Sequence, residues 1–170
     1  STIVLTRFEV TLTGKASQMI MKDPKVILMI DDEPEYMDGL VDVLNIAGYK
    51  TILESDLHVA IEYLRQPRLN IDLILLDLLM PPMHIKVPND TGELTDPRYT
   101  GVRFYHYIRD QLGLKSIPII VFSVVNDENI HQEIAKYELD KFNRQLLSFR
   151  KPTDPDEIIE AINNCLKQSE

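Results

Sequence analysis

From Lys25 onward, apolar runs of strand length alternate with stretches whose apolar residues recur at helical spacing, the pattern of consecutive parallel β/α units. The first run is Val26–Ile30, and Met37, Leu40, Val41 and Leu44 then mark one face of a helix that stops near Gly48. A short β-prone segment at 49–53 precedes a second helix, marked by Ala60, Ile61 and Leu64 and ended before Pro67. Leu73–Leu76 is the most uniformly apolar run and is predicted to be the central strand, because a strand covered on both faces shows no alternation. Its helix comes late: only after a long polar stretch do Val102, Tyr105, Ile108 and Leu112 take up helical spacing. A fourth strand is predicted at 118–122 and a fifth at 146–149, with Asn126 as the cap of the helix between them and Ile130, Ile134 and Tyr137 on its inner face. The last helix opens on Asp154-Pro155-Asp156-Glu157, which supplies a cap, a proline at the first helical position and acidic residues for the positive end of the helix dipole.

Five β/α pairs predict an α/β fold with a doubly wound, five-stranded parallel sheet, in which function collects at the carboxyl ends of the strands. Asp31, Asp32, Asp77, Ser123 and Lys151 all fall at those ends. A carboxylate closing a buried strand is costly unless it is paired or bound, so several such endings point to a shared site. Carboxylates brought this close repel unless a cation sits among them, and Mg²⁺, a hard ion that takes oxygen ligands and keeps several waters, suits the set. With those charges offset, a carboxylate can attack phosphorus to give an aspartyl phosphate. The Ser123 hydroxyl, on the neighbouring strand end, is suited to donate to a phosphoryl oxygen.

Composition narrows the class further. The chain has 170 residues, 44% of them hydrophobic and 26% charged, enough for one globular domain with an appendage. A net charge of −9 argues against direct nucleic-acid binding, and with no room for a DNA-binding or catalytic output domain the expectation is either a stand-alone domain or a piece of something longer. Cys165 is the single cysteine, has apolar spacing with Ile158 and Ile162, and reads as a packing residue in a reducing compartment. No apolar stretch approaches the roughly 20 residues of a membrane helix and nothing reads as a signal peptide, so a cytoplasmic location without membrane contact is expected.

Two regions stand outside the repeat. Residues 1–24 form an N-terminal extension in which Phe8, Val10 and Leu12 alternate with Arg7, Glu9 and Thr11; an edge strand, an arm exchanged within a homodimer and an upstream extension all fit this pattern. Within the main domain, 25–168, the segment at 82–100 is rich in Pro, Asp, Thr and Gly and follows directly on the Asp77 strand, the mark of a lid or partner surface.

Ile30-Asp31-Asp32-Glu33-Pro34, Leu75-Leu76-Asp77-Leu78-Leu79-Met80-Pro81, Val121-Phe122-Ser123 and Phe149-Arg150-Lys151-Pro152 together resemble, in order, the signatures of CheY-like response-regulator receiver domains. The resemblance implies a flavodoxin-like strand order 2-1-3-4-5, Asp77 as phosphoacceptor, and a Mg²⁺ or Mn²⁺ site. That site would be made by Asp32 directly, Asp31 chiefly through metal-bound water, Asp77, and the backbone carbonyl of Leu79. Ser123 would be the switch hydroxyl, Lys151 its charge partner, and Lys151-Pro152 a cis bond. Implied partners are a sensor histidine kinase or phosphotransfer protein and a downstream protein. The chain also departs from the family pattern. The glycine that normally follows the phosphoacceptor closely is Gly101, which makes 82–100 an insertion; Val124 is bulky where a small residue is usual; and the aromatic switch position holds Ser148, with Phe149 beside it. Leu79 and Val125 occupy positions that tune hydrolysis of the aspartyl phosphate, and apolar side chains there imply a long-lived phosphorylated state.

Two rival functions and several plainer readings accompany this one. The chain is alternatively an unphosphorylated, receiver-like adaptor acting through the insertion or the N-terminal arm, or a small-molecule phosphatase, although a haloacid-dehalogenase-type site wants an aspartate where Leu79 stands. Asp31 and Asp32 are also natural caps for the first helix. Asp90-Thr91-Gly92 matches the aspartic-protease triplet on polar flanks, and Asn89-Asp90-Thr91 spells a glycosylation sequon without a secretory signal. His58, His84, His106 and His131 show no metal-ligand spacing, and no nucleotide-binding glycine motif is present.

Overall fold

The structure, a computed structural model, describes residues 23–82 and 97–167. Five strands, β1 (Val26–Ile30), β2 (Lys50–Glu54), β3 (Leu73–Leu76), β4 (Ile119–Ser123) and β5 (Leu147–Arg150), form one parallel sheet in the order β2-β1-β3-β4-β5. The expected strand order is thus observed, with β3 at the centre and all of its residues buried. The helices are α1 (Asp38–Ile46), α2 (Leu57–Arg65), α3 (Thr100–His106), α4 (Glu128–Phe142) and α5 (Pro155–Lys167).

Strand pleating sorts the core into two layers. Ile27, Met29, Leu73, Leu75, Ile120 and Phe122 pack with α1 and α5, while Leu28, Ile30, Ile74, Leu76 and Val121 pack with α2, α3 and α4. Cys165 packs against the α1/α5 layer, and burial pushes its thiol pKa up.

Local chemistry explains the element ends. Gly48, at φ 95°, takes the left-handed turn that stops α1, and Asp56 caps α2 by accepting from the His58 and Val59 N–H groups. The cap of α4 is Asp127 rather than Asn126. Both are good capping residues, but it is Asp127 that sits in extended backbone, φ −93° and ψ 108°, with its carboxylate accepting from the Asn129 N–H at 3.1 Å. Asp154 accepts from the Asp156 N–H at 2.9 Å, at the start of α5 as the sequence predicts. Asp31 and Asp32 do not cap α1, which begins at Asp38 after a 3-10 turn at Pro34–Tyr36. Asp31 instead accepts the Glu33 N–H at 3.0 Å.

One feature of the helices has no signature in the spacing of apolar residues. After α3 the chain widens into a π turn over Tyr107–Gln111, which carries Arg109 fully into the interior. The alternation at Phe8, Val10 and Leu12, most of the insertion, His84, Asn89 and the Asp90-Thr91-Gly92 triplet lie outside the described residues.

Candidate functional site

Parallel pairing continues one residue beyond three strands and fixes the backbone of the acidic cluster. The Asp31 N–H donates to the Glu54 carbonyl at 3.1 Å, the Asp77 N–H to Ile30 at 2.9 Å, and the Lys151 N–H to Ser123 at 3.0 Å. The side chains therefore start from adjoining positions along a single sheet edge. Asp31, Asp32 and Asp77 each present a carboxylate oxygen within 4.8 Å of the others. Asp31 and Asp77 are buried and Asp32 is half-buried.

The oxygens of Asp77 are claimed by different partners. Oδ1 accepts from the Ser123 hydroxyl and from the Leu79 N–H at 2.9 Å, while Oδ2 accepts from Lys151 Nζ at 2.5 Å. Lys151 also donates to Asp31 Oδ2 at 2.5 Å, so one ammonium bridges two carboxylates. It stands 5.5 Å from the ring centre of Phe122, a further electrostatic support. The Lys151-Pro152 bond is cis.

One lysine does not neutralise three carboxylates. Burial first, and repulsion from Asp77 among the other causes, holds Asp31 and Asp32 above the usual carboxylate pKa despite the nearby ammonium. Burial alone pulls the Lys151 pKa down, but its hydrogen bonds with Asp31 and Asp77 outweigh this and leave it above the ordinary lysine value. An all-oxygen donor set with excess negative charge fits a hard divalent cation.

Ser123 is fully buried and joins the strand ends to the next loop. Its Oγ donates to Asp77 and accepts from the Leu78 N–H at 3.4 Å and the Val125 N–H at 3.2 Å. Val124 is 45% exposed, so its bulk lies at the surface beside the site, whereas Val125 is buried in the α2/α3/α4 layer, with Leu79 packed against that layer. Ser148 is exposed on β5, and Phe149 packs into the α1/α5 layer.

Gly101 shows why the chain needs a glycine when it returns from the insertion. A Cβ there would stand 2.4 Å from both the Asp77 carbonyl oxygen and the Leu78 Cα. Its N–H donates to the Leu78 carbonyl at 3.1 Å, and the Met80 N–H donates to Pro97 at 3.3 Å, so the segments on either side of the insertion are joined beside Asp77. Arg98 pairs with Asp127 at 3.7 Å, tying the returning chain to the start of α4.

No family model matches the sequence, and no curated protein is similar to it at a significant level. Solved structures do match: the chain has the fold of CheY-like response-regulator receiver domains. The chemotaxis response regulator CheY4 of Vibrio cholerae superposes with a TM-score of 0.61 at 20% identity, over 84% of this chain and 99% of that one. The signal receiver domain of a signal transduction histidine kinase from Syntrophus aciditrophicus gives 0.61 at 21% identity, covering 85% and 91%. A CheY-like receiver domain protein from Methanospirillum hungatei JF-1 gives 0.57 at 16% identity, covering 86% and 96%. Among the described residues, no helix is long and apolar enough to cross a membrane.

Proposed function

We propose that the chain is a response-regulator receiver of a two-component phosphorelay, with Asp77 as phosphoacceptor. The observation that carries this reading is the bridging of Asp31 and Asp77 by Lys151 inside a cluster of three carboxylates at the sheet edge. Asp31, Asp32, Asp77 and the Leu79 carbonyl would hold Mg²⁺ or Mn²⁺. When bound, the ion supplies positive charge that offsets the carboxylates and the incoming phosphoryl group.

In the transfer, an Asp77 carboxylate oxygen forms a bond to phosphorus as the N–P bond of a phosphohistidine breaks. The bonding pair stays with the imidazole nitrogen of the donor, a sensor kinase or phosphotransfer protein. Lys151 holds the carboxylate in place and offsets its charge, and the Ser123 hydroxyl turns its proton to a phosphoryl oxygen. The phosphorylated form then presents a changed surface to a downstream protein.

Intact-mass measurement after incubation with acetyl phosphate tests the proposal. One phosphoryl adduct that requires both Mg²⁺ and Asp77, and is lost in Asp77→Asn, is the expected result. Absence of an adduct, with this donor and with phosphorylated histidine kinases, would overturn it.

A further inference from the structure

Val125 is hydrogen-bonded through both of its peptide groups in opposite directions. Its N–H donates to Ser123 Oγ at 3.2 Å, and its carbonyl accepts from the His131 ring at Nε2, 2.8 Å away. A carbonyl only accepts, so Nε2 is the protonated ring nitrogen. Nδ1 is buried without a hydrogen-bond partner, which leaves the Val125 carbonyl as the polar group that orients the ring. His131 sits in the first turn of α4, whose cap, Asp127, belongs to the same loop. A continuous bonded path therefore runs from Asp77 through Ser123 and Val125 to α4.

On β5, Ser148, which pairs with Val121 of β4, is small and exposed. Phe149 points into the opposite layer. We infer that His131 is the positioning residue that fixes Ser123 on Asp77 and carries the phosphorylation state of Asp77 to α4. The inference rests on the receiver reading and adds its route of regulation.

The coupling runs through the bonds of a single oxygen. Ser123 Oγ accepts from the Val125 N–H while its own proton lies on Asp77. When a phosphoryl group arrives, that proton follows the new negative charge, and Oγ moves with it. The Val125 peptide must then follow or release the hydroxyl, and either outcome changes the carbonyl that His131 holds. Loss of one buried hydrogen bond shifts a two-state population by roughly threefold to tenfold, enough to bias a helix that has two arrangements.

Long-range ¹H–¹⁵N spectra of the imidazoles in the full chain provide the test, with Mg²⁺ and beryllofluoride as a stable phosphoryl mimic. The resting protein should show His131 as the Nε2–H tautomer. On addition of the mimic, its ring signals should shift together with the Ser123 and Val125 amides, and Asp77→Asn should show none of these changes. Movement of the Ser123 and Val125 amides with an unchanged His131 ring would overturn the inference alone. No movement at any amide near Asp77 would overturn the receiver reading and this inference with it. In a second arm, His131→Leu should change the rate of labelling by acetyl phosphate by roughly threefold to tenfold, the worth of one hydrogen bond. His131→Gln, which keeps an N–H donor, should recover most of that rate; equal behaviour of the two variants would count against a positioning role.

Discussion

Arg109 grips Glu138 at two points in the protein interior, Nε to Oε2 at 3.0 Å and Nη2 to Oε1 at 2.8 Å. The Tyr105 hydroxyl donates to the same carboxylate, and burial together with that bond keeps the phenol well above its ordinary pKa. Arg109 Nη1 donates to the Leu114 and Ile117 carbonyls at 2.6 and 2.8 Å, so the pair ties α4 to the π turn and to the approach to β4. Glu138 also pairs with Arg144 Nη2 at 2.7 Å, so it is loss of the carboxylate that leaves the buried Arg109 charge without its partner, at a cost of about 3–5 kcal/mol. Glu138→Leu should destabilise by that amount in chemical denaturation, and adding Arg109→Met should return a large part of it.

Gly101→Ala and Gly39→Ala should have opposite effects. At Gly101 the new methyl meets backbone atoms at 2.4 Å, which cannot rotate aside, so α3 must move off the end of β3. A loss of about 1–3 kcal/mol is expected, with slower labelling of Asp77. At Gly39, in α1, nothing lies within 4 Å, and a gain of about 0.4–1 kcal/mol is expected from the reduced entropy of the unfolded chain. Thermal melts of the two variants beside the wild type check both signs.

The acidic cluster makes stability depend on pH in a direction opposite to that of an ordinary paired carboxylate. Burial holds Asp31 and Asp32 above their unfolded pKa, so the folded chain keeps their protons after the unfolded chain has lost them. Their contribution to stability therefore falls as pH rises from the unfolded value of 3.8 through the raised folded values. Asp32→Asn should raise the melting temperature in a metal chelator at neutral pH, and that advantage should shrink as the pH is lowered through the same window. Mg²⁺, if held as proposed, should stabilise the wild type and stabilise this variant less. Melts in chelator and in Mg²⁺ across this pH range read both effects.

Dephosphorylation should be slow. The Leu79 N–H is bound to Asp77, and Leu79 and Val125 both belong to an apolar layer, so neither side chain offers a hydrogen bond to an attacking water. A phosphorylated state lasting minutes or longer is expected by intact-mass decay, and Leu79→Asn should shorten it by about tenfold, the effect of roughly 1.4 kcal/mol on the barrier. A wild-type half-life of seconds would contradict this.

Legibility in the sequence followed the kind of signal each residue sends. Asp77 could be read because a charge closes an unbroken apolar run, and Lys151 because three other strand-end motifs precede it. Arg109 and Glu138 could not, since charged residues on helices ordinarily face water, and only the π turn carries Arg109 inward. His131 was equally silent: it bonds a backbone carbonyl, so no second side chain marks the contact. Asn126 and Asp127 are equivalent caps by residue type, and backbone dihedrals decide between them. Gly101 could be recognised as displaced along the chain, but the close approach that requires it exists only once α3 is set against Leu78.

The bond from the Met80 N–H to the Pro97 carbonyl closes the chain on itself at the rim of the acidic cluster. For a flexible segment, the entropic cost of holding its two ends together grows only logarithmically with its length, each doubling adding about 0.6 kcal/mol. Lengthening, shortening or rewriting that stretch is therefore nearly neutral for folding, while Asp77 and Gly101 keep their contact. In evolutionary terms, selection can act on the segment beside Asp77 almost independently of selection on the domain that carries it.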